Sequence, residues 1–283
     1  NNIAIAGHYA RAKHDAPRAI ALSESSFQLA LPGRDRALDS YTAAVLTDRP
    51  VGYWRLNDRG TNLAFNSAGR PHGMFYGNVE QGASARPCDS EREEHCRSAR
   101  FDGANDFVQV EYKPELNAED FTVEAWVNVS QVTADHASVI TSRNAPTRTA
   151  GYILYVTPEG HWEFWTGDGQ NWSQLVGPRV QTDRWLHVAI TFQRMRTNPS
   201  GVLTGIACLY VNGELVSRRT NMNCVPLREY SRPLRIGAGG TEADAPQFYF
   251  PGQIAEVAIY NRPLFSETIR NHYHEVSREE KSR

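Results

Sequence analysis

The side chains that could do chemistry are carboxylates, imidazoles and indoles crowded into a few short stretches of this 283-residue chain. The run Phe121-Thr122-Val123-Glu124-Ala125-Trp126-Val127 sets Glu124 beside Trp126, and His161, Glu163 and Trp165 alternate a little further on, with Tyr152 before them and Trp172 and His187 after. Indole faces stack on the apolar side of a sugar ring and carboxylates accept its hydroxyls, so the inventory suits a carbohydrate site. Two carboxylates held roughly 5–10 Å apart would instead suit glycosidic hydrolysis, and Glu124 with Glu163 is the pair available for it. The plainer account makes both glutamates solvated or hydrogen-bonded, and makes Trp126, Trp185 and His187 packing residues. Other chemistries lack their signatures. There is no Gly-x-Ser-x-Gly elbow and no His-Glu-x-x-His. His272 and His274 are two apart, which points them different ways on a helix. The Gly237-Ala238-Gly239-Gly240 run is not followed by a helix start, as a phosphate cradle would require.

The elements that must position these groups are short and alternate with period two, the signature of half-buried strands. Strands are expected at Phe107–Val110, Phe121–Val127, Tyr152–Val156, His161–Thr166, Trp172–Val176, Trp185–Phe192, Ile206–Val211, Glu214–Ser217, Leu234–Ile236 and Val257–Tyr260. Asn212-Gly213 accepts positive φ at both positions and predicts a tight type I′ hairpin. Alternation puts Phe121, Val123, Ala125 and Val127 on a core face and Glu124 and Trp126 opposite. It likewise puts Trp162 and Phe164 opposite His161, Glu163 and Trp165. If the strands are neighbours, one wall gathers Glu124, Trp126, His161, Glu163, Trp165 and His187. A single helix is expected from Ser266, with Glu267 near its positive end, to about Glu275. The fold class is therefore all-β, a two-sheet antiparallel sandwich over 41–275. An Ala- and Arg-rich N-terminal extension or linker (1–40) precedes it, and a solvated tail (276–283) follows the short C-terminal helix.

A formal net charge of −2, with acids and bases interleaved, argues against a nucleic-acid partner. No apolar run is long enough to span a bilayer. The chain begins at Asn1 rather than Met, which reads as a processed chain or a fragment, and no cleavable leader is visible. Cys88, Cys96, Cys208 and Cys224 fall into two locally spaced pairs, read as two disulfides rather than a metal site because no C-x-x-C or clustered His accompanies them. Disulfides imply an extracellular or cell-surface protein. Asn128 and Asn171 open glycosylation sequons. The acidic loop Asp89 to Glu94 reads as a solvated loop closed by its flanking cysteines.

Seven stretches resemble the laminin-G-like jelly-roll domain of the concanavalin A-like lectin and glucanase superfamily. They are Asp48-Arg49-Pro50-Val51-Gly52-Tyr53-Trp54-Arg55-Leu56, Arg100-Phe101-Asp102-Gly103, Phe121 to Trp126, Trp185-Leu186-His187-Val188-Ala189, Leu209-Tyr210-Val211-Asn212-Gly213, Phe250 to Val257 and Ile259-Tyr260-Asn261-Arg262-Pro263-Leu264. The resemblance implies two curved antiparallel sheets, and it implies fold far more than function. Family members commonly hold a structural calcium with acids at two places where Asn66 and Ala255 stand here. Calcium then depends on other oxygens, such as Asn66, Asp58 and Asp102.

The leading functional expectation is a non-catalytic recognition or adhesion module that binds a glycan or an extracellular protein. Its ligand residues would be Trp165, Trp172, Glu163, His161 and Tyr152, with an exposed aromatic among Trp165, Trp172, Tyr152 and Tyr249. Two alternatives remain. One is a structural subunit that self-assembles by pairing its N-terminal extension with a neighbour's sheet edge. The other is a glycan hydrolase or lyase using Glu124 and Glu163.

Overall fold

Alternating strands with one apolar face must find a second apolar face to cover, and here two eight-stranded antiparallel sheets do this for each other. The computed structural model describes residues 39–83, 96–145, 147–241 and 243–277, and these described residues belong to one compact unit. The first sheet runs in the order β14 (Glu214–Cys224), β13 (Leu203–Val211), β12 (Trp185–Thr197), β7 (Phe121–Val129), β18 (Pro251–Tyr260), β5 (Ser98–Asp102) and β4 (Glu80–Ala83), with β1 (Gly52–Trp54) also paired to β18. The second runs β11 (Trp172–Arg179), β10 (His161–Gly167), β9 (Ala150–Val156), β8 (Ala137–Asn144), β15 (Leu234–Ile236), β6 (Phe107–Val110), β3 (Gly73–Tyr76) and β2 (Leu63–Ala64). A two-stranded ribbon, β16 (Gly239–Gly240) with β17 (Pro246–Gln247), stands apart from both.

The expected strands all form, several of them longer than the alternation suggests. The expected hairpin joins β13 to β14, with φ of 52° at Asn212 and 77° at Gly213. Between the sheets, Phe121 stacks on its cross-strand partner Phe192 at 5.6 Å and on Tyr152 of the other sheet at 5.0 Å. Trp54, Trp162, Phe164 and Phe250 fill the same layer and are fully buried.

Two helices cover the outer face of the first sheet. The C-terminal helix spans Ser266–Ser277, close to the expected range; it is α2. The other, α1 (Ser40–Thr47), is a departure, because strands were expected from Tyr41 onward. Asp39 explains it: its carboxylate accepts the Thr42 N–H at 2.9 Å, capping a turn whose Tyr41 and Val45 bury against Trp126, Tyr260 and Ile269. Asp39 also binds Arg55 at 2.7 Å, and Arg55 reaches Glu256 at 3.2 Å. Glu256 takes a φ of 56° at a bulge in β18, which turns its side chain under α1, where the Tyr53 hydroxyl donates to it.

The Cys208–Cys224 disulfide does not form, and both thiols are free. The strands are adjacent, but Cys208 lies opposite Arg218 while Cys224 lies opposite Leu203. At the rise of a strand that offset puts the two roughly 15 Å apart, far beyond disulfide reach. Cys96 is disulfide-bonded. Cys88, the acidic loop and the N-terminal extension on which self-assembly was expected to depend lie outside the described residues.

Candidate functional site

The expected wall of six residues splits between the two outer faces of the sandwich. Glu124, Trp126 and His187 belong to β7 and β12 of the first sheet and are buried beneath the helices. His161, Glu163 and Trp165 belong to β10 of the second sheet. Glu124 and Glu163 therefore point away from each other across two sheets roughly 10 Å apart, so they cannot flank one glycosidic bond. The hydrolase or lyase built on that pair is excluded by geometry.

On the helix-covered face, Glu124 is fully enclosed. Tyr260 donates to it at 2.6 Å, the His272 Nδ1 lies 3.0 Å away, and the His187 Nε2 approaches to 3.2 Å. Burial by itself would raise the Glu124 carboxyl, but the His272 charge and the imidazole contacts outweigh it and hold the group well below the usual carboxylate range. Burial likewise opposes charging of His272, yet Glu124, and Asp48 at 3.2 Å, raise it to about 9. This is a structural clamp for α2, with no open approach for a substrate.

The second sheet's outer face is different. Register places Glu163 beside Tyr155 and Trp165 beside Ile153 on β9, with Gln174 of β11 on the other flank of Trp165. The Trp165 indole N–H donates to Glu163 at 2.7 Å, which fixes the ring in the sheet surface. Trp172 lies 6.2 Å from Trp165 and carries the Arg143 guanidinium 5.4 Å above its ring. Asp168 caps the turn that presents Trp172, accepting from the Gln170 and Asn171 N–H groups at 2.8 and 2.6 Å. His136 meets the edge of Trp165 at 5.6 Å and lies 3.8 Å from Glu163. Phe248, 5.9 Å from Tyr155, closes one side. Its loop is tied down by Arg235, which donates to the Asp244 carbonyl at 2.8 Å and pairs with the Asp244 carboxylate at 3.1 Å. The result is a rigid, partly exposed aromatic platform with one carboxylate and one guanidinium at its margin. It is equipped to stack and orient a ring, and it holds no pair of opposed acids.

The other expected residues fall elsewhere. Tyr152 is a correction: its ring is in the core and its hydroxyl donates to the buried Leu116 carbonyl at 3.1 Å, so it does not reach the platform. The β9 alternation puts Tyr155 outward in its place. His161 shares the β10 face, but its Nδ1 is engaged with the Gly177 carbonyl at 3.0 Å. Tyr249 is half-buried and donates to the Pro246 carbonyl at 3.1 Å. Asn171 is exposed at its turn, whereas Asn128 is half-buried in the middle of a sheet.

The side chains expected to hold calcium make contacts of their own within the protein. The Asn66 side-chain carbonyl already accepts the Tyr53 and Ala68 N–H groups, both at 2.9 Å. One Asp102 oxygen accepts N–H groups from Ala104 and Asn105 at 2.8 and 3.0 Å. Asp58 is raised to about 7 by burial, so it is partly protonated near neutral pH. Among the described residues no three His, Cys, Asp or Glu side chains converge as metal ligands.

A family model described as the concanavalin A-like lectin/glucanases superfamily matches residues 102–270. The chain belongs to this superfamily. Solved structures agree on the sandwich. The receptor-binding domain of a botulinum neurotoxin C/D mosaic serotype matches with a TM-score of 0.57 at 16% identity, over 80% of this chain and 51% of that one. Domain 4 of an extracellular GH43 arabinanase from Geobacillus stearothermophilus, in complex with arabinotriose, matches with a TM-score of 0.55 at 17% identity, over 80% of this chain and 98% of that one. A Trypanosoma rangeli sialidase in complex with sialic acid gives 0.55 at 16% identity, over 83% of this chain and 34% of that one. The chain thus spans about half the length of the neurotoxin domain and nearly all of the arabinanase domain. Identities this low establish shared fold and nothing finer. No curated protein sequence matches the chain.

Of the residues on this platform, sequence reasoning named Glu163, Trp165 and Trp172 but not His136, Arg143, Tyr155 and Phe248. Tyr155 was recoverable from strand alternation alone. Arg143 was not, because Ala137-Ser138-Val139-Ile140-Thr141-Ser142-Arg143-Asn144 does not alternate: β8 is almost wholly buried on both faces.

Proposed function

We propose that the protein is a non-catalytic, extracellular carbohydrate-recognition module whose ligand stacks on Trp165 and Trp172. The single observation that carries this reading is the Trp165 indole pinned by Glu163 on a partly exposed sheet face, beside a second indole. A ring already fixed loses little freedom on binding, so its contact area converts to affinity efficiently. The Arg143 and Glu163 side chains supply a donor and an acceptor at the margin, which suits a hydroxylated ring better than a purely apolar ligand. The company of this fold is consistent: one similar domain was solved in complex with arabinotriose and another protein in complex with sialic acid. The arabinanase is described as extracellular, which supports that location here.

The test is a glycan array probed with the wild type and with Trp165→Ala and Trp172→Ala. The expected result is a defined set of hits that both substitutions weaken. Silence across the array at high protein concentration, or hits indifferent to both substitutions, overturns the reading.

A further inference from the structure

Away from the tryptophan platform, a cleft of about 490 Å³ opens at one end of the sandwich between the loops that follow β8, β12 and β14. Its apolar lining includes Val225 and Leu227, both buried. Two polar features there are unexplained by the fold. Asn144 lines the cleft and is 6% exposed; its amide nitrogen donates to Glu229 and, at 3.2 Å, to Thr147, while its carbonyl oxygen has no partner. A buried acceptor left unmatched costs roughly 1–3 kcal/mol, so such groups ordinarily meet a donor. The second feature is Arg148 at the mouth. Its guanidinium makes only a long 3.4 Å contact to the Ser200 carbonyl, and among the described residues no carboxylate pairs with it. Arg228 nearby differs, being paired with Glu119 at 3.3 Å.

We propose that this end cleft is a second binding site, selective for a small hydroxyl-rich molecule bearing a carboxylate, that is, an acidic sugar. A ligand hydroxyl donates to the Asn144 carbonyl. The C–H face of the ring lies against the exposed Pro199 at the cleft wall. The carboxylate meets Arg148 in a charge-assisted contact. A cation with no carboxylate partner among the described residues at the mouth, and an unmatched acceptor at the floor, ask for opposite groups on one ligand, which a neutral sugar does not supply. The site does not depend on whether the Trp165 face binds sugar.

The experiment compares methyl β-D-glucuronide with methyl β-D-glucoside, in which a hydroxymethyl group replaces the carboxylate, by following backbone amide shifts of the whole chain in NMR titrations. The glucuronide is expected to shift amides around 144–150 and 225–229 and to bind about fivefold tighter than the glucoside, the scale of one exposed charge contact. Arg148→Gln, an exposed and structurally mild change, should bring the glucuronide down to the glucoside's affinity. In Trp165→Ala the shifts around 225–229 should persist, since they report this cleft and not the platform. Equal affinities for the two glycosides overturn the proposal, as does an Arg148→Gln protein with undiminished preference. Shifts confined to the platform and lost in Trp165→Ala overturn it too, while supporting the platform.

Discussion

The His272 Nδ1 lies 3.0 Å from the Glu124 Oε1 in a space sealed by α2, and its other ring nitrogen lies 3.2 Å from Asp48. One imidazolium thus bridges the centre of a sheet to the turn after α1, which makes the C-terminal helix the element whose docking depends on protonation.

Stability should vary with pH accordingly. His272 is raised from 6.5 to about 9 in the folded protein, so its contribution is complete below about pH 6.5 and is lost as pH rises through 9. Glu124 is depressed from 4.5, so its contribution is present above about pH 4.5 and is lost on acidification. Urea unfolding should therefore show a loss on the order of 3 kcal/mol between pH 6.5 and 9. His272→Gln should be less stable at neutral pH and flat across that window. A wild-type curve flat from pH 6.5 to 9 would refute the clamp.

Tyr152 and Trp165 lie on opposite faces of the second sheet and should separate in function. Tyr152→Phe leaves the buried Leu116 carbonyl without its donor, so it should cost about 1–2 kcal/mol of stability and leave glycan affinity unaltered. Trp165→Ala should instead lower glycan affinity about tenfold, and because it also strips Glu163 of its indole donor, only the binding curve, not Tm, sets it apart from Tyr152→Phe. Paired melting and binding curves decide this, and a binding defect in Tyr152→Phe contradicts the assignment.

Arg235 should act on binding through Phe248. It anchors the loop at Asp244 by two contacts, so Arg235→Met should free that wall and raise Kd severalfold, while proteolysis within 239–247 quickens. A Kd equal to the wild type's would show that the wall takes no part.

Cysteine chemistry offers a separate check. Under denaturing, non-reducing conditions two thiols should titrate, those of Cys208 and Cys224. In the native protein Cys224 should be inert, since burial pushes its thiol up to about 12. Finding no free thiol in the denatured chain would reinstate the second disulfide.

The sandwich was legible because period-two patterning and the Asn212-Gly213 turn are local signals. The partition of residues between faces was legible too: Glu124 and Glu163 were each assigned outward correctly. What sequence could not supply was which sheet each strand joins, since β7 and β10 carry equivalent patterns and pairing is a long-range property. That gap produced the imagined wall of six. The Cys208–Cys224 expectation failed for the same reason, because sequence spacing says nothing of register. Short, irregular or doubly buried strands such as β2, β8 and β16 lack alternation and went unread. α1 hinges on Asp39 and on a sheet face that only tertiary packing provides.

The central claim is best tested through the six tryptophan indole N–H resonances of the ¹⁵N-labelled protein, titrated with a glycan identified on the array. The account predicts that the signals of Trp165 and Trp172 move together and saturably, while those of the buried Trp54, Trp126 and Trp162 stay in place. A saturable glycan that leaves Trp165 and Trp172 unmoved would contradict it.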